Sequence, residues 1–121
     1  MPHTRQVLGA AGERAAEEYL ENLGYVILDR NWHAGRYGEL DIVAQEGDNL
    51  VVVEVKTRHG VGFGNPEDAV TKLKRSKLAG ATQAYLVAHP HLPQAVRIEV
   101  VAVVISSNGE ELDLKHYRDI G

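Results

Sequence analysis

Apolar residues recur at helical spacing from Val7 to Leu23, with Leu8, Ala11, Ala15, Tyr19 and Leu23 on one stripe, and Gly24 follows as a residue that can end a helix in the left-handed conformation. This pattern predicts an amphipathic helix. Tyr25 to Leu28 is a short β-favouring run and Asn31 to Gly35 has turn character, which predicts a strand leading into a loop. Glu39 to Gln45 and Leu50 to Thr57 are β-rich runs separated by Glu46-Gly47-Asp48-Asn49, so a hairpin is expected. Beyond the glycine-rich stretch His59 to Gly64, Asn65-Pro66-Glu67-Asp68 reads as an N-cap, a proline at the first helical position and two carboxylates facing the helix dipole. A second helix is therefore expected from there to about Ala88, ended by His89-Pro90-His91 and Pro93. Ala95 to Ile105 reads as a long valine-rich strand, Ser106 to Gly109 as a turn and Glu111 to Lys115 as a last short strand. The order α-β-β-β-α-β, without repeats, low-complexity tracts or linkers, predicts one domain over residues 1–121, of α/β or α+β type.

Composition narrows the function classes. A chain of 121 residues leaves no room for a separate regulatory or substrate domain. There is no run of about 18 apolar residues, and no apolar segment follows Met1-Pro2-His3-Thr4-Arg5-Gln6, so neither a membrane span nor a secretory signal is expected and the default location is cytoplasmic. The absence of cysteine excludes disulfides, thiolate metal sites and cysteine nucleophiles. A metal would have to be held by carboxylates, histidines, carbonyls or water, which favours a hard cation.

The net charge of −4 argues against a polyanionic partner, but the charge is unevenly spread. Residues 1–48 hold four Lys/Arg and nine Asp/Glu, residues 49–77 six and three, and residues 78–121 three and five. Only the middle segment is net basic. A basic face beside an acidic cluster suits a metal-dependent enzyme acting on a polyanion, and a patchily charged solvated surface is the ordinary alternative.

Hairpin register decides which polar side chains meet. A turn symmetric about Gly47-Asp48 pairs Glu46 with Asn49, sets Asp41 opposite Glu54, and sets Glu39 opposite Lys56. Alternation then puts Glu39, Asp41, Glu54 and Lys56 on one face of the sheet and Leu40, Ile42, Val53 and Val55 on the other. Opposed carboxylates repel each other, and a divalent cation between them reverses the sign of that term. A surface ion-pair ladder through Lys56 is the competing reading. Leu50-Val51-Val52-Val53, apolar on both faces, favours a central strand whose polar end lies in a cleft.

Gly38-Glu39-Leu40-Asp41-Ile42-Val43-Ala44 followed by Val52-Val53-Glu54-Val55-Lys56-Thr57-Arg58 resembles the YraN-like family of small bacterial proteins, over nearly the whole chain. That family is similar to the PD-(D/E)XK nuclease superfamily, particularly archaeal Holliday-junction resolvases. The resemblance implies a restriction-endonuclease-like core, an α/β fold with a central mixed sheet flanked by helices. It implies that Asp41 is the first acid, that Glu54 and Lys56 form the second motif, and that Glu13 in Gly12-Glu13-Arg14 is the helix glutamate. Leu40 stands where the superfamily name has proline. On a helical wheel Glu13 lies roughly 110° from the centre of the apolar stripe, so position alone does not turn it toward the site.

The implied activity is a Mg²⁺- or Mn²⁺-dependent endonuclease acting on DNA, branched DNA included. Asp41, Glu54, the Val55 carbonyl and Glu13 would hold metal, since Mg²⁺ needs only a few oxygen ligands beside water and phosphate. Lys56 would orient or deprotonate the attacking water and stabilise the phosphoryl transition state. Substrate contacts fall to Arg58 at the strand end and to Lys74 and Lys77, which helical spacing places toward the sheet, whereas Lys72 and Arg75 point away. The competing reading is that these lysines cover apolar surface and snorkel to water. Gly60, Gly62 and Gly64 suit either a close approach to phosphate or a flexible connection. His89-Pro90-His91 ends a helix and is assigned no site. A non-catalytic nucleic-acid or protein interaction module on the same fold is the alternative function. A homodimer is expected on two grounds: a branched or duplex substrate offers two strands to cut while 121 residues provide one site, and the Val100-Val101-Ala102-Val103-Val104 strand, if it lies at a sheet edge, needs a second subunit to cover it; an interior strand of a monomer explains the same run.

Overall fold

The computed structural model describes residues 5–59, 72–106, 108 and 112–118. Helix α1 (Arg5–Asn22) leads into β1 (Val26–His33), a 3-10 turn (Gly35–Tyr37), β2 (Glu39–Glu46) and β3 (Asn49–His59). Helix α2 (Lys72–Ala88), β4 (Ala95–Ile105) and β5 (Leu112–Tyr117) follow. The five strands form one mixed sheet in the order β1-β2-β3-β4-β5, antiparallel throughout except for the parallel pair β3 and β4. Parallel neighbours require a crossover, and α2 lies on the chain between them. This is an α/β fold, consistent with a restriction-endonuclease-like core.

Each helix covers one face. Ala16 and Leu20 of α1 pack with Ile42, Ala44, Val51, Val53, Val101 and Val103. Leu78, Ala81 and Tyr85 of α2 pack with Val43, Leu50, Val52 and Val100 on the other side. The unbroken valine runs of β3 and β4 follow from this, because alternate residues enter opposite cores and both are apolar. β4 lies inside the sheet, paired with β3 along its length and with β5 from Val100 to Ile105. Its apolar run is accounted for by two covered faces, so the edge-strand motive for a homodimer disappears.

Helix α1 ends as its glycine predicts. Gly24 has φ +96, its N–H donates to the Glu21 carbonyl at 3.0 Å, and the Tyr25 N–H donates to the Leu20 carbonyl at 3.0 Å, a Schellman closure. The β2–β3 hairpin has the expected register, from Glu46↔Asn49 to Ile42↔Val53, around Gly47 at φ +58. β5 runs two residues beyond its expected end at Lys115. The expected start of the second helix at Asn65, and Gly60, Gly62 and Gly64, lie outside the described residues. No described helix is long and apolar enough to cross a membrane.

β1 differs from expectation. It continues to His33 through the predicted turn, because Asn31 takes up the bend within the strand at φ +51 while Trp32↔Leu40 and His33↔Glu39 still pair. Asparagine tolerates this left-handed conformation better than most residues. The kink faces Asp41, and the side chains on either side of it are rotated. Leu40 therefore enters the α2 core with Val43, and not the α1 core with Ile42 as plain alternation predicts.

One polar network is sealed inside the α1 face. Glu99 of β4 is fully buried; its Oε1 accepts Tyr25 O–H at 2.9 Å and lies 2.6 Å from His116 Nε2, and its Oε2 accepts Arg97 Nε–H at 2.9 Å. Arg97 also reaches Glu46 at 2.5 Å, and His116 Nδ1 lies 3.2 Å from the Tyr19 hydroxyl. Burial alone would raise the Glu99 carboxyl, but these donors hold it below the usual carboxylate range.

Candidate functional site

The β2–β3 ladder stops at Ile42↔Val53 although both strands continue. Asp41 and Glu54, expected to pair directly, therefore do not, and neither do Glu39 and Lys56. The Asp41 carboxylate takes over the ladder's role: its Oδ2 accepts the Val55 N–H at 2.9 Å. Glu54, 7% exposed, follows Val52 onto the α2 side, where Lys74 Nζ lies 2.5 Å from its Oε1. Burial, reinforced by the charge of Glu54, pushes the Asp41 carboxyl up to about 7 against the pull of the Val55 N–H. A half-buried acid beside a buried second acid is the type of group that active sites maintain.

Glu13 reaches the same region despite its place on the helical wheel. At Gly12 a Cβ would run into the Thr57 hydroxyl, so glycine is what lets α1 press against β3 there. The next residue is thereby half-buried near the acids. With its amide nitrogen toward them, Asn31 lies 2.8 Å from Glu39 Oε1 and 3.3 Å from Glu13 Oε2, joining the helix acid to the start of β2. Burial raises the Glu13 carboxyl, the Asn31 hydrogen bond opposes this, and the charges of Glu39, Glu17 and Glu54 add to the rise.

A cavity of about 180 Å³ opens beside Glu54, lined also by Tyr37, Glu39, Lys74, Lys77 and Leu78. Lys74 and Lys77 thus lean toward the sheet as their spacing predicts. Lys56 is half-buried and shares its strand face with Glu54 by alternation. Arg58 is exposed and does not line the cavity. The side chain of Lys72 lies outside the described residues. His89 closes the end of α2 by placing Nδ1 2.9 Å from the Tyr85 carbonyl and stacking on the Tyr85 ring, in keeping with a helix-ending role.

Sequence reasoning missed Asn31, Arg36 and Tyr37. Asn31 carried a turn signal, but not the information that its turn would sit inside a strand. Gly35-Arg36-Tyr37-Gly38 set an arginine–tyrosine pair between two glycines, both of which have positive φ (+60 and +88). Tyr37 packs on α2 at Gly80, where a Cβ would overlap its ring.

The donor chemistry fits a hard divalent cation: every candidate ligand is oxygen, and Mg²⁺ needs one or two carboxylates beside its waters. Among the described residues no group of three Asp, Glu, His or Cys side chains is placed to hold a metal ion. The fit therefore rests on Asp41 with Glu54, and on Glu13 held nearby by Asn31. A larger groove of about 470 Å³ between α2 and β4 is lined by Thr82, Leu86, Val96, Arg97 and Ile98, and none of these acids borders it.

A family model described as "Uncharacterised protein family UPF0102" matches residues 12–103, which include the helix acid, the hairpin acids and Lys56. The chain belongs to the UPF0102 family. This is the YraN-like family to which its motifs point. A UPF0102 protein of Rhodococcus opacus is 45% identical over 112 residues, covering 93% of each chain. One from Beutenbergia cavernae is 42% identical over 117 residues, covering 97% of this chain and 98% of the relative. One from Geobacter sulfurreducens is 45% identical over 105 residues, covering 87% and 81%. The UPF0102 match runs from within α1 to within β4, so Glu13, Asp41 and Glu54 all lie inside it.

Proposed function

We propose that this chain is a metal-dependent endonuclease that hydrolyses phosphodiester bonds in DNA, branched DNA included. The observation that carries the reading is the half-buried Asp41 carboxyl, fixed by the Val55 N–H beside the buried Glu54, a setting that pushes it up to about 7. Asp41, Glu54, the Val55 carbonyl and Glu13 are the residues that would hold Mg²⁺ or Mn²⁺. When bound, such a cation supplies charge neutralisation at the scissile phosphate and acidity to the attacking water. Lys56, on the Glu54 face of β3, orients that water and stabilises the charge that develops on the phosphoryl oxygens. The water gives up a proton to solvent as its oxygen bonds to phosphorus and the bond to the leaving sugar oxygen breaks, and the leaving oxygen takes up a proton from solvent, so no net proton is consumed in the exchange. Lys77 and Arg58 bind flanking phosphates, and Lys74 exchanges its contact with Glu54 for one with substrate.

A non-catalytic binding module is the second reading. The 2.5 Å Lys74–Glu54 ion pair favours it, because a module without metal would need that ammonium to neutralise a buried acid permanently. Incubating the purified protein with linear and four-way-branched DNA in Mg²⁺, Mn²⁺ and EDTA tests both. Metal-dependent cleavage lost in Glu54→Gln is the expected result; tight DNA binding with no cleavage in either metal supports the module.

A further inference from the structure

The 3-10 turn ahead of β2 carries an arginine that contacts Tyr37, a residue lining the cavity. The Arg36 guanidinium lies 5.0 Å from the centre of the Tyr37 ring, and its Nη2 donates to the Tyr37 hydroxyl at 2.9 Å. Tyr37 lines the cavity that holds Glu54 and Lys77, and its ring is seated against α2 at Gly80. The turn closes on itself, the Ala34 N–H donating to the Gly38 carbonyl at 2.7 Å and the Gly38 N–H to the Gly35 carbonyl at 3.1 Å. Arg36 itself is exposed.

An exposed arginine ordinarily samples many rotamers, and ordering it on a ligand costs side-chain entropy. Here the tyrosine meets part of that cost before any ligand arrives, through cation–π contact and one hydrogen bond. A guanidinium has five N–H donors, so one bond to Tyr37 leaves its fork free to meet an anion with two oxygens. The two acids that line the cavity have other partners: Glu39 is bridged by Asn31, and Glu54 is paired with Lys74.

We infer that Arg36 is a substrate-binding residue, a preorganised clamp for a backbone phosphate of DNA next to the phosphate at the acid cluster, and that Tyr37 is its positioning residue. The clamp reads no base and serves any sequence. This rests on the nuclease reading and adds the residue that fixes substrate register.

The test measures binding of a short fluorescently labelled DNA duplex by anisotropy across a salt series, in EDTA and in Ca²⁺. Arg36→Ala should weaken binding about five- to tenfold and reduce the slope of log affinity against log salt by about one. Arg36→Lys should restore the slope, because the charge returns, but not the full affinity, because an ammonium has no fork. Tyr37→Phe keeps the ring and the charge and removes the hydroxyl; it should lower affinity about twofold with an unchanged slope and an unchanged melting temperature, an outcome that a merely structural tyrosine would not give. Arg75→Ala, on the α2 flank one turn before Ala79 of the other groove, is the control for general charge. Wild-type protein that binds no DNA overturns both the clamp and the nuclease reading. Wild-type binding with Arg36→Ala no weaker than Arg75→Ala overturns the clamp alone.

Discussion

The Asp41 carboxylate accepts the Val55 N–H at 2.9 Å, Asp41 standing one residue and Val55 two residues past Ile42↔Val53, the last pair of the β2–β3 ladder. A side chain here does the work of a strand partner, which fixes the acid in place and takes it out of water. Its neighbour Glu54 adds a like charge. Burial and the charge of Glu54 make the acid costly to ionise although the Val55 N–H favours the carboxylate, and a cation is what would relieve the cost.

That cost predicts a pH-dependent effect of Asp41→Asn in metal-free protein. The folded carboxyl is pushed up to about 7, above its unfolded value, so the native state binds more protons than the unfolded state between the two. Stability contributed by this group then falls as pH rises through that window, and the penalty persists above it. The amide can still accept the Val55 N–H but carries no charge. In EDTA the variant should melt above wild type at about pH 8, and the gap should close toward about pH 5, by linkage. Thermal melts at both pH values check this; a gap independent of pH would rule out Asp41 as the titrating group.

Divalent cation should reverse the wild-type penalty. Mg²⁺ or Mn²⁺ is expected to raise the melting temperature of the wild type in a concentration-dependent way, since a ligand of the folded state stabilises it by mass action. Asp41→Asn combined with Glu54→Gln should remove that shift while leaving a cooperative melt. A full shift in the double variant would place the cation elsewhere.

Lys56→Met separates chemistry from binding. A group acting on the attacking water or the transition state loses kcat when removed, whereas a phosphate contact loses affinity. We expect Lys56→Met to abolish cleavage and to change DNA affinity by less than about threefold, measured on the same duplex by anisotropy. Equal losses in both would make Lys56 a phosphate contact.

The parts of the fold that short-range rules govern were legible in the sequence. Gly24 ended α1, Gly47 set the hairpin register, and the two-sided valine runs of β3 and β4 marked a sheet covered on both faces. The site was legible as a set of residues more than as a geometry. Alternation set Glu54 on the side that carries Val52 and failed at Leu40, where Asn31 bends β1 at a left-handed residue opposite the start of β2. The helical wheel left the direction of Glu13 undecided, since a wheel does not include the close approach that Gly12 allows at Thr57. Arg36 and Tyr37 gave no periodic signal at all. Their placement depends on Gly80, more than 40 residues further along the chain, and no local pattern carries a contact of that range.

Glu99 offers a test of the fold that is independent of the acid cluster. It sits fully buried with donors from three side chains, Tyr25, Arg97 and His116, and Arg97 is shared with Glu46. A buried carboxylate of this kind stabilises the protein only while its partners remain, and removing its charge leaves the Arg97 guanidinium partly uncompensated. The folded carboxyl is held below its usual value, so its contribution is present above the unfolded pKa and is lost as pH falls through the folded one. Glu99→Gln should therefore destabilise by about 3 kcal/mol near neutral pH, in the range for breaking a buried ion pair. The difference should shrink as the solution is acidified and wild-type Glu99 takes up its own proton. Urea denaturation of both proteins at neutral and acid pH, with m unchanged between them, measures it. A constant difference across pH would mean that Glu99 contributes shape and hydrogen bonds but no charge to the core.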